Sequence, residues 1–309
     1  MEYRRLGKTD LEVSYMALGT SSLGGVFQKV KEIEAIQTVF TALDNGINFI
    51  DTAPAYGDLK AEKVLGKALK QIKRDQYFLS TKTGKYSTTD FDYSYERIIQ
   101  EVEESFKRLG VDYVDILHLH DFEFQNGVHR EQALNEGYRA LQDLKKQGKT
   151  RYIGIGIYPV DWCQEIMKSH DFDAMICHNH HCLNDDRILD ALDDFKASGT
   201  GFINAAPMAM GLLTRRGPAS WHPIHKEEED LALFQTAVEF CLQEGTTIER
   251  LAIQYAFSNA DIPTTLVSTP KPEQILENID WATKEPDWDL VDDLREFIEP
   301  VFNKDWIVG

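Results

Sequence analysis

The sequence predicts an α/β fold, a (β/α)8 barrel formed by one domain over residues 1–309. Three observations carry this reading. Short apolar runs recur eight times along the chain, helix-period segments lie between them, and glycine stands just past the helix ends. The runs are Tyr15–Leu18, Asn48–Ile50, Tyr77–Ser80, Val114–Leu117, Tyr152–Ile157, Ala174–Cys177, Gly201–Asn204 and Thr265–Val267. Each is too short for a helix. Several are near-continuously apolar, as strands buried on both faces of a parallel sheet are.

The segments between the runs are amphipathic. Glu32–Asn45 places Ile33, Ile36, Val39, Phe40 and Leu43 at the spacing of one helical face. Ser94–Leu109, Glu131–Gln147, Arg187–Ser198 and Glu229–Glu244 repeat the pattern. The pairs Asn45-Gly46, Leu109-Gly110, Gln147-Gly148, Ser198-Gly199 and Glu244-Gly245 end helices, because glycine supplies the left-handed residue of a C-terminal cap. Strand–helix alternation repeated in this way closes a barrel. A doubly wound open sheet needs a G-x-G-x-x-G turn after its first strand, and the sequence has none there. The remaining length is expected in an N-terminal hairpin around Gly7–Asp10, in long loops on the active face and in an extra C-terminal helix near Leu290–Phe302.

Composition removes several function classes. Apolar residues at 42% and charged residues at 27% make an ordinary globular balance. With 33 Lys plus Arg against 51 Asp plus Glu, the net charge is −18, which disfavours a nucleic-acid partner. The four cysteines form no C-x-x-C pair, the N-terminus has no signal-peptide pattern, and no run of about 18 apolar residues exists. A soluble, cytoplasmic protein without a membrane partner is expected, as a monomer or weak dimer.

Chemistry in such a barrel sits at the C-terminal strand ends. Three consecutive runs end in ionisable groups: Asp51, Lys82 and His120, on strands that should be neighbours. Tyr56 follows Asp51 in a short turn holding Pro54 and Gly57. A free phenol has a pKa of about 10, and a nearby ammonium favours the phenolate. Asp51 would fix Lys82, His120 would bond the reacting oxygen, and Tyr56 would serve as general acid or base. His178-Asn179-His180-His181-Cys182 looks like a metal cluster. Adjacent strand residues point to opposite faces, and the carboxylates of a barrel metal site are missing, so no metal is expected.

These residues carry a family resemblance. Gly46-Ile47-Asn48-Phe49-Ile50-Asp51-Thr52-Ala53-Pro54-Ala55-Tyr56-Gly57 resembles the N-terminal signature of the aldo-keto reductases. Ser80-Thr81-Lys82 and Asp112-Tyr113-Val114-Asp115-Ile116-Leu117-His118-Leu119-His120 are similar to the family's lysine and histidine blocks, in order and spacing. The resemblance implies a nicotinamide cofactor bound without a Rossmann fold and a tetrad of Asp51, Tyr56, Lys82 and His120, with His120 rather than His118 as its histidine. It implies cofactor contacts at Thr20, Ser21, Asp51, Cys177, Ala205, Pro207, Met208, Ala209, Gly211, Leu212, Ser268, Gln274, Glu277 and Asn278. Where many members hold the nicotinamide with Ser-Asn, Gln and Tyr, this chain has Gly156-Ile157, Cys177 and Ala205, so backbone groups or neighbouring side chains are expected to take over.

Within the family the chain is similar to the aldose dehydrogenase branch that holds L-galactose and L-fucose dehydrogenases. Gly84-Lys85-Tyr86, Pro207-Met208-Ala209-Met210-Gly211-Leu212-Leu213 and Gly217-Pro218-Ala219-Ser220-Trp221-His222-Pro223 suggest it. The resemblance implies oxidation of an aldose at its anomeric hydroxyl to the lactone. Tyr56, Tyr86, His120, Trp221 and His222 are the expected substrate contacts. NAD is expected over NADP, because the positions that present Lys and Arg to a 2′-phosphate hold Ser268 and Gln274. The alternatives are an NADP-linked reductase of small aldehydes or pyridoxal-type substrates and a non-catalytic cofactor-sensing subunit, which the intact tetrad disfavours.

Overall fold

Eight parallel strands close into a barrel in the order β3, β4, β5, β6, β7, β8, β9, β10, with β10 pairing back on β3. The strands are β3 (Met16–Gly19), β4 (Phe49–Asp51), β5 (Phe78–Thr83), β6 (Val114–His120), β7 (Thr150–Ile157), β8 (Ala174–His178), β9 (Gly201–Ala205) and β10 (Thr264–Val267). Before them β1 (Tyr3–Arg5) and β2 (Glu12–Ser14) form an antiparallel hairpin. The computed structural model describes residues 1–305; residues 306–309 of the expected domain lie outside the described residues.

The helices are α1 (Glu32–Asp44), α2 (Lys60–Leu69), α3 (Tyr95–Leu109), α4 (Arg130–Gln132), α5 (Tyr138–Lys146), α6 (Val160–Ser169), α7 (Leu192–Ser198), α8 (Glu228–Gln243), α9 (Ile248–Phe257), α10 (Pro272–Ala282) and α11 (Trp288–Phe297). Two differ from the sequence reading. The segment expected as one helix over Glu131–Gln147 carries a π turn at Ala133–Gly137 between α4 and α5. The segment over Arg187–Ser198 begins as a 3-10 turn, Arg187–Ala191. The extra C-terminal helix is α11, followed by a 3-10 turn at Glu299–Val301.

Strand alternation separates two apolar layers. Ala17, Phe49, Ile116, Ile176, Ile203 and Leu266 face the barrel interior. Leu18, Ile50, Leu79, Leu117, Leu119, Ile155 and Cys177 face the surrounding helices. Leu6, Leu11 and Val13 of the hairpin join the interior cluster and plug one end of the barrel. The other end, where the strands finish, is left for polar side chains. The same alternation carries interior-facing positions on to Asp51, Lys82, His120, Gly156, His178 and Ala205.

Candidate active site

Asp51 ends β4, Lys82 is the penultimate residue of β5, and His120 ends β6. Register brings them together: Asp51 pairs with Ser80, Lys82 with His118, and His120 with Gly156. Tyr56 lies in the turn after β4, tied by Tyr56 N–H to Ala53 O at 3.2 Å and Ala61 N–H to Tyr56 O at 3.1 Å. Lys82 Nζ donates to the Asp51 carboxylate and to Thr52 O at 2.9 Å. Ser80 Oγ donates to the other Asp51 oxygen at 2.6 Å, which fixes the carboxylate in turn. The ammonium sits 4.8 Å from the Tyr56 ring centroid, and that ring meets His120 edge-on at 5.7 Å.

The electrostatics correct one part of the sequence reading. Lys82 was expected to draw Tyr56 toward phenolate. Burial is the larger effect: it pushes the phenol up to about 12, while Lys82 pulls it down and Asp51 and Asp121 push it further up. Tyr56 is therefore a phenol near neutral pH. Burial opposes the charge on Lys82, but Asp51 and Tyr56 outweigh it and hold the ammonium above its ordinary range. Burial keeps His120 neutral, and the Asp121 carboxylate only partly offsets it. His118, on the same face and one layer deeper in the barrel, is pulled down to about 3 by burial.

A second pair adjoins the tetrad. Lys85, just past β5, donates to Asp121 Oδ2 at 2.7 Å, and Asp121 Oδ1 lies 3.4 Å from His120 Nε2. The sequence reading holds Lys85 inside a motif without a role and stops one residue short of Asp121. Their signal was position, one or a few residues past a strand that ends in the tetrad.

The expected cofactor positions divide. Thr20, past β3, is buried, and its hydroxyl has no partner among the described residues; the same holds for Asn179 Oδ1, past β8. Buried polar atoms without protein partners suit a polar ligand. Ser21 Oγ donates to Ser268 Oγ at 3.1 Å, and Ser22 N–H to the same oxygen at 2.9 Å, which joins the loops after β3 and β10. Gln274 accepts from Thr269 Oγ1. Asn278 is buried and Glu277 exposed on α10. After β9, Ala205 and Met208 are half-buried and Pro207, Ala209 and Leu212 buried, in a turn where Ala206, Ala209, Met210 and Gly211 all have positive φ. Cys177 is misplaced by the sequence reading. It faces the helix layer, its thiol donating to Tyr158 O at 3.2 Å, and its neighbour His178 faces the mouth instead.

The expected substrate contacts also divide. Tyr86 is 4% exposed; its hydroxyl donates to Asp92 O at 3.0 Å and Arg97 stacks on its ring at 4.1 Å. It anchors its loop and offers no free face. His222 is 2% exposed, and its Nδ1 accepts from Ile224 N–H at 3.2 Å as the cap of a 3-10 turn. Trp221 is 41% exposed, and its Nε1 donates to Val26 O at 3.1 Å, bringing the loop after β9 onto the loop after β3. The histidine cluster disperses: His180 bonds Asp185 at 3.2 Å and Tyr158 O at 2.7 Å, and His181 stacks on Tyr255. Among the described residues, no three His, Cys, Asp or Glu converge as metal ligands. Nor is any described helix long and apolar enough to cross a membrane.

The sequence profile of the aldo/keto reductase family matches residues 15–299. The chain is 40% identical to the L-galactose dehydrogenase of Arabidopsis thaliana, over 100% of its own length and 98% of that enzyme's. It is 25% identical to the pyridoxal 4-dehydrogenase of Microbacterium luteolum, over 91% of its length and 92% of that enzyme's. Among solved structures, an aldo-keto reductase from Bacillus halodurans superposes with a TM-score of 0.76 over 100% of this chain and 99% of the other, at 24% identity. That last likeness speaks to the fold.

Proposed function

The chain belongs to the aldo/keto reductase family and is an NAD(P)-dependent oxidoreductase acting on CH–OH groups, and we propose that it oxidises an aldose of the L-galactose or L-fucose kind to the lactone. The observation that carries the reading is the Asp51–Lys82–Tyr56–His120 cluster on a chain similar over its full length to an L-galactose dehydrogenase.

The chemistry divides among these residues. A nicotinamide bound at the mouth would supply the hydride acceptor for the anomeric carbon. Tyr56 Oη takes the hydroxyl proton in oxidation and returns it in reduction. Lys82, through its ammonium, stabilises the phenolate that this transfer requires. Asp51, itself held by Ser80, keeps that ammonium beside the ring. His120, kept neutral by burial, orients the reacting oxygen by a hydrogen bond. The mouth residues Thr20 and Asn179, whose buried oxygens have no partner among the described residues, would hold the cofactor.

NAD is the proposed preferred cofactor. Ser268 and Gln274 carry no charge, and both side chains are already engaged, by Ser21 and Ser22 and by Thr269. A 2′-phosphate needs charge-assisted partners, which these positions do not provide. One observation favours a second reading. A phenol held at about 12 is poised to donate a proton, as reduction of a small aldehyde or pyridoxal-type substrate with NADPH requires. A rate screen separates the two. NAD reduction with L-galactose and L-fucose should exceed NADPH oxidation with small aldehydes and pyridoxal. Turnover only in the second set would overturn the aldose reading.

A further inference from the structure

The ion pair of Lys85 and Asp121 takes no part in the proton step, yet Asp121 Oδ1 lies 3.4 Å from the tetrad's His120. The two lysine–aspartate pairs differ in access. The side chains of Lys82 and Asp51 are each 2% exposed, whereas those of Lys85 and Asp121 are 10% and 11% exposed. The first pair is sealed, and the second keeps an edge open.

Fold stability alone gives little reason for the second pair, because desolvation of two buried charges offsets most of their attraction. Asp121 also sits at φ +51°, a left-handed backbone that a non-glycine residue adopts at a cost. Its amide donates to Gly156 O at 2.8 Å and its carbonyl accepts from Phe124 N–H at 3.3 Å, so the conformation is held. The effect is to bring the carboxylate beside His120.

Bonding capacity remains on this pair. A carboxylate offers about four acceptor sites. Asp121 Oδ2 takes the Lys85 bond, and Oδ1 accepts no hydrogen bond among the described residues. Among the described residues Lys85 Nζ gives one hydrogen bond, to Asp121, and lies 3.6 Å over the Phe124 ring, which leaves a donor direction unused there. The ring nitrogens of His178, half-buried at the end of β8, bond nothing among the described residues.

We propose that Asp121 and Lys85, with His178, form a subsite that hydrogen-bonds the hydroxyl next to the reacting carbon of a polyhydroxylated substrate. The acceptor and donor stand side by side, which matches an O–H that gives a proton to the carboxylate and an oxygen that accepts from the ammonium. With His120 on the reacting oxygen, Asp121 reaches the oxygen one carbon away. A substrate lacking that hydroxyl leaves Asp121 Oδ1 and the spare donor direction of Lys85 unfilled, although the two charges stay paired, and unfilled polar groups are how a polar site rejects a plain analogue. The subsite rests on the carbonyl and alcohol chemistry proposed above, and on no particular sugar.

Reduction of glyceraldehyde and of propanal tests it, since the two differ only in hydroxyl groups. The measured quantity is the ratio of their kcat/KM values with the faster of NADH and NADPH. The wild-type ratio should favour glyceraldehyde by at least about 100-fold, mostly through KM. Asp121→Asn and the double variant Lys85→Met/Asp121→Asn should lower the ratio at least about 10-fold. The double variant removes both charges together, so no lone buried charge endangers folding. A ratio unchanged in both variants overturns the subsite, as does an equal loss on the two substrates. Aldehyde reduction without any aldose oxidation in the wild type sinks the sugar reading and leaves the ratio test intact.

Discussion

The Lys82 ammonium lies 4.8 Å from the Tyr56 ring centroid while bonded to Asp51, so one buried cation serves a carboxylate and a phenol at once. It is the main influence lowering the pKa of a phenol that burial has raised to about 12. Lys82→Met should therefore raise that pKa further. Oxidation, which needs the phenolate, should lose about 10³-fold in kcat, and its alkaline limb should move to higher pH. A kcat–pH profile checks this, with Asp51→Asn/Lys82→Met as the variant free of an unpaired carboxylate. An unmoved limb would show that Lys82 does not tune Tyr56.

Tyr56→Phe removes the proton carrier and little else. The kcat value should fall by roughly 10²- to 10⁴-fold. Cofactor affinity, read from quenching of protein fluorescence, should stay within about threefold. Turnover retained at the wild-type level would exclude the assigned role.

Cofactor preference should respond to charge at α10. Gln274→Arg puts a guanidinium where a 2′-phosphate partner is wanted, at the loss of one bond from Thr269. The NADP-to-NAD ratio of kcat/KM should rise about tenfold or more. No rise would mean that the phosphate position lies elsewhere on the surface.

Two glycines on β7 should behave differently. A Cβ on Gly154 would collide with Ala174 O and with the His118 ring, whereas one on Gly156 would meet Lys82 Cε at 3.6 Å, Ile176 Cβ at 3.7 Å and His120 Cδ2 at 3.9 Å, all at ordinary contact distance. Gly154→Ala should destabilise the barrel by about 2 kcal/mol or more, since the crowding involves backbone. Gly156→Ala should unfold at nearly the wild-type denaturant midpoint. Equal midpoints for the two variants would contradict the packing described.

Acid should destabilise the fold through its histidines. Burial pulls His118 down to about 3, and His178, His181 and His222 to about 4. Unfolded histidine titrates near 6.5, so between these values the unfolded chain binds more protons. Stability then rises with pH through that window and is lost on acidification. His118→Leu should reduce the slope of unfolding free energy between pH 6 and pH 4.5 by up to about 1.4 kcal/mol per pH unit. Urea titrations at several pH values measure it, and an unchanged slope would mean that His118 is protonated in the fold.

Much of the barrel was legible because its strands are short and apolar and its helices carry glycine stops. Helices α2, α6, α9 and α10 were not picked out. In α9 the reason is burial: Ile248 and Leu251 through Ala256 are all buried, which erases the contrast between faces. The ionisable strand ends were legible from position alone. Cys177 shows the limit, since which of two adjacent residues faces the mouth depends on a register that a short run does not fix. Tyr86 and His222 show another, because aromatic residues in loops satisfy their own polar atoms as readily as a ligand's. The sign of the Tyr56 shift depended on burial, which no spacing of residues reveals.

The hairpin plug ties the beginning of the chain to a late part of it. A Cβ on Gly7 would collide with the backbone of Gly201, and Lys8 N–H donates to Gly199 O at 2.6 Å. Synthesis delivers the plug first and its seat only when β9 has emerged. Until then Leu6, Leu11 and Val13 have no finished floor to fill, and contacts this distant in sequence form slowly. Sealing of the barrel floor is therefore a mark that nearly the whole circuit of strands is in place.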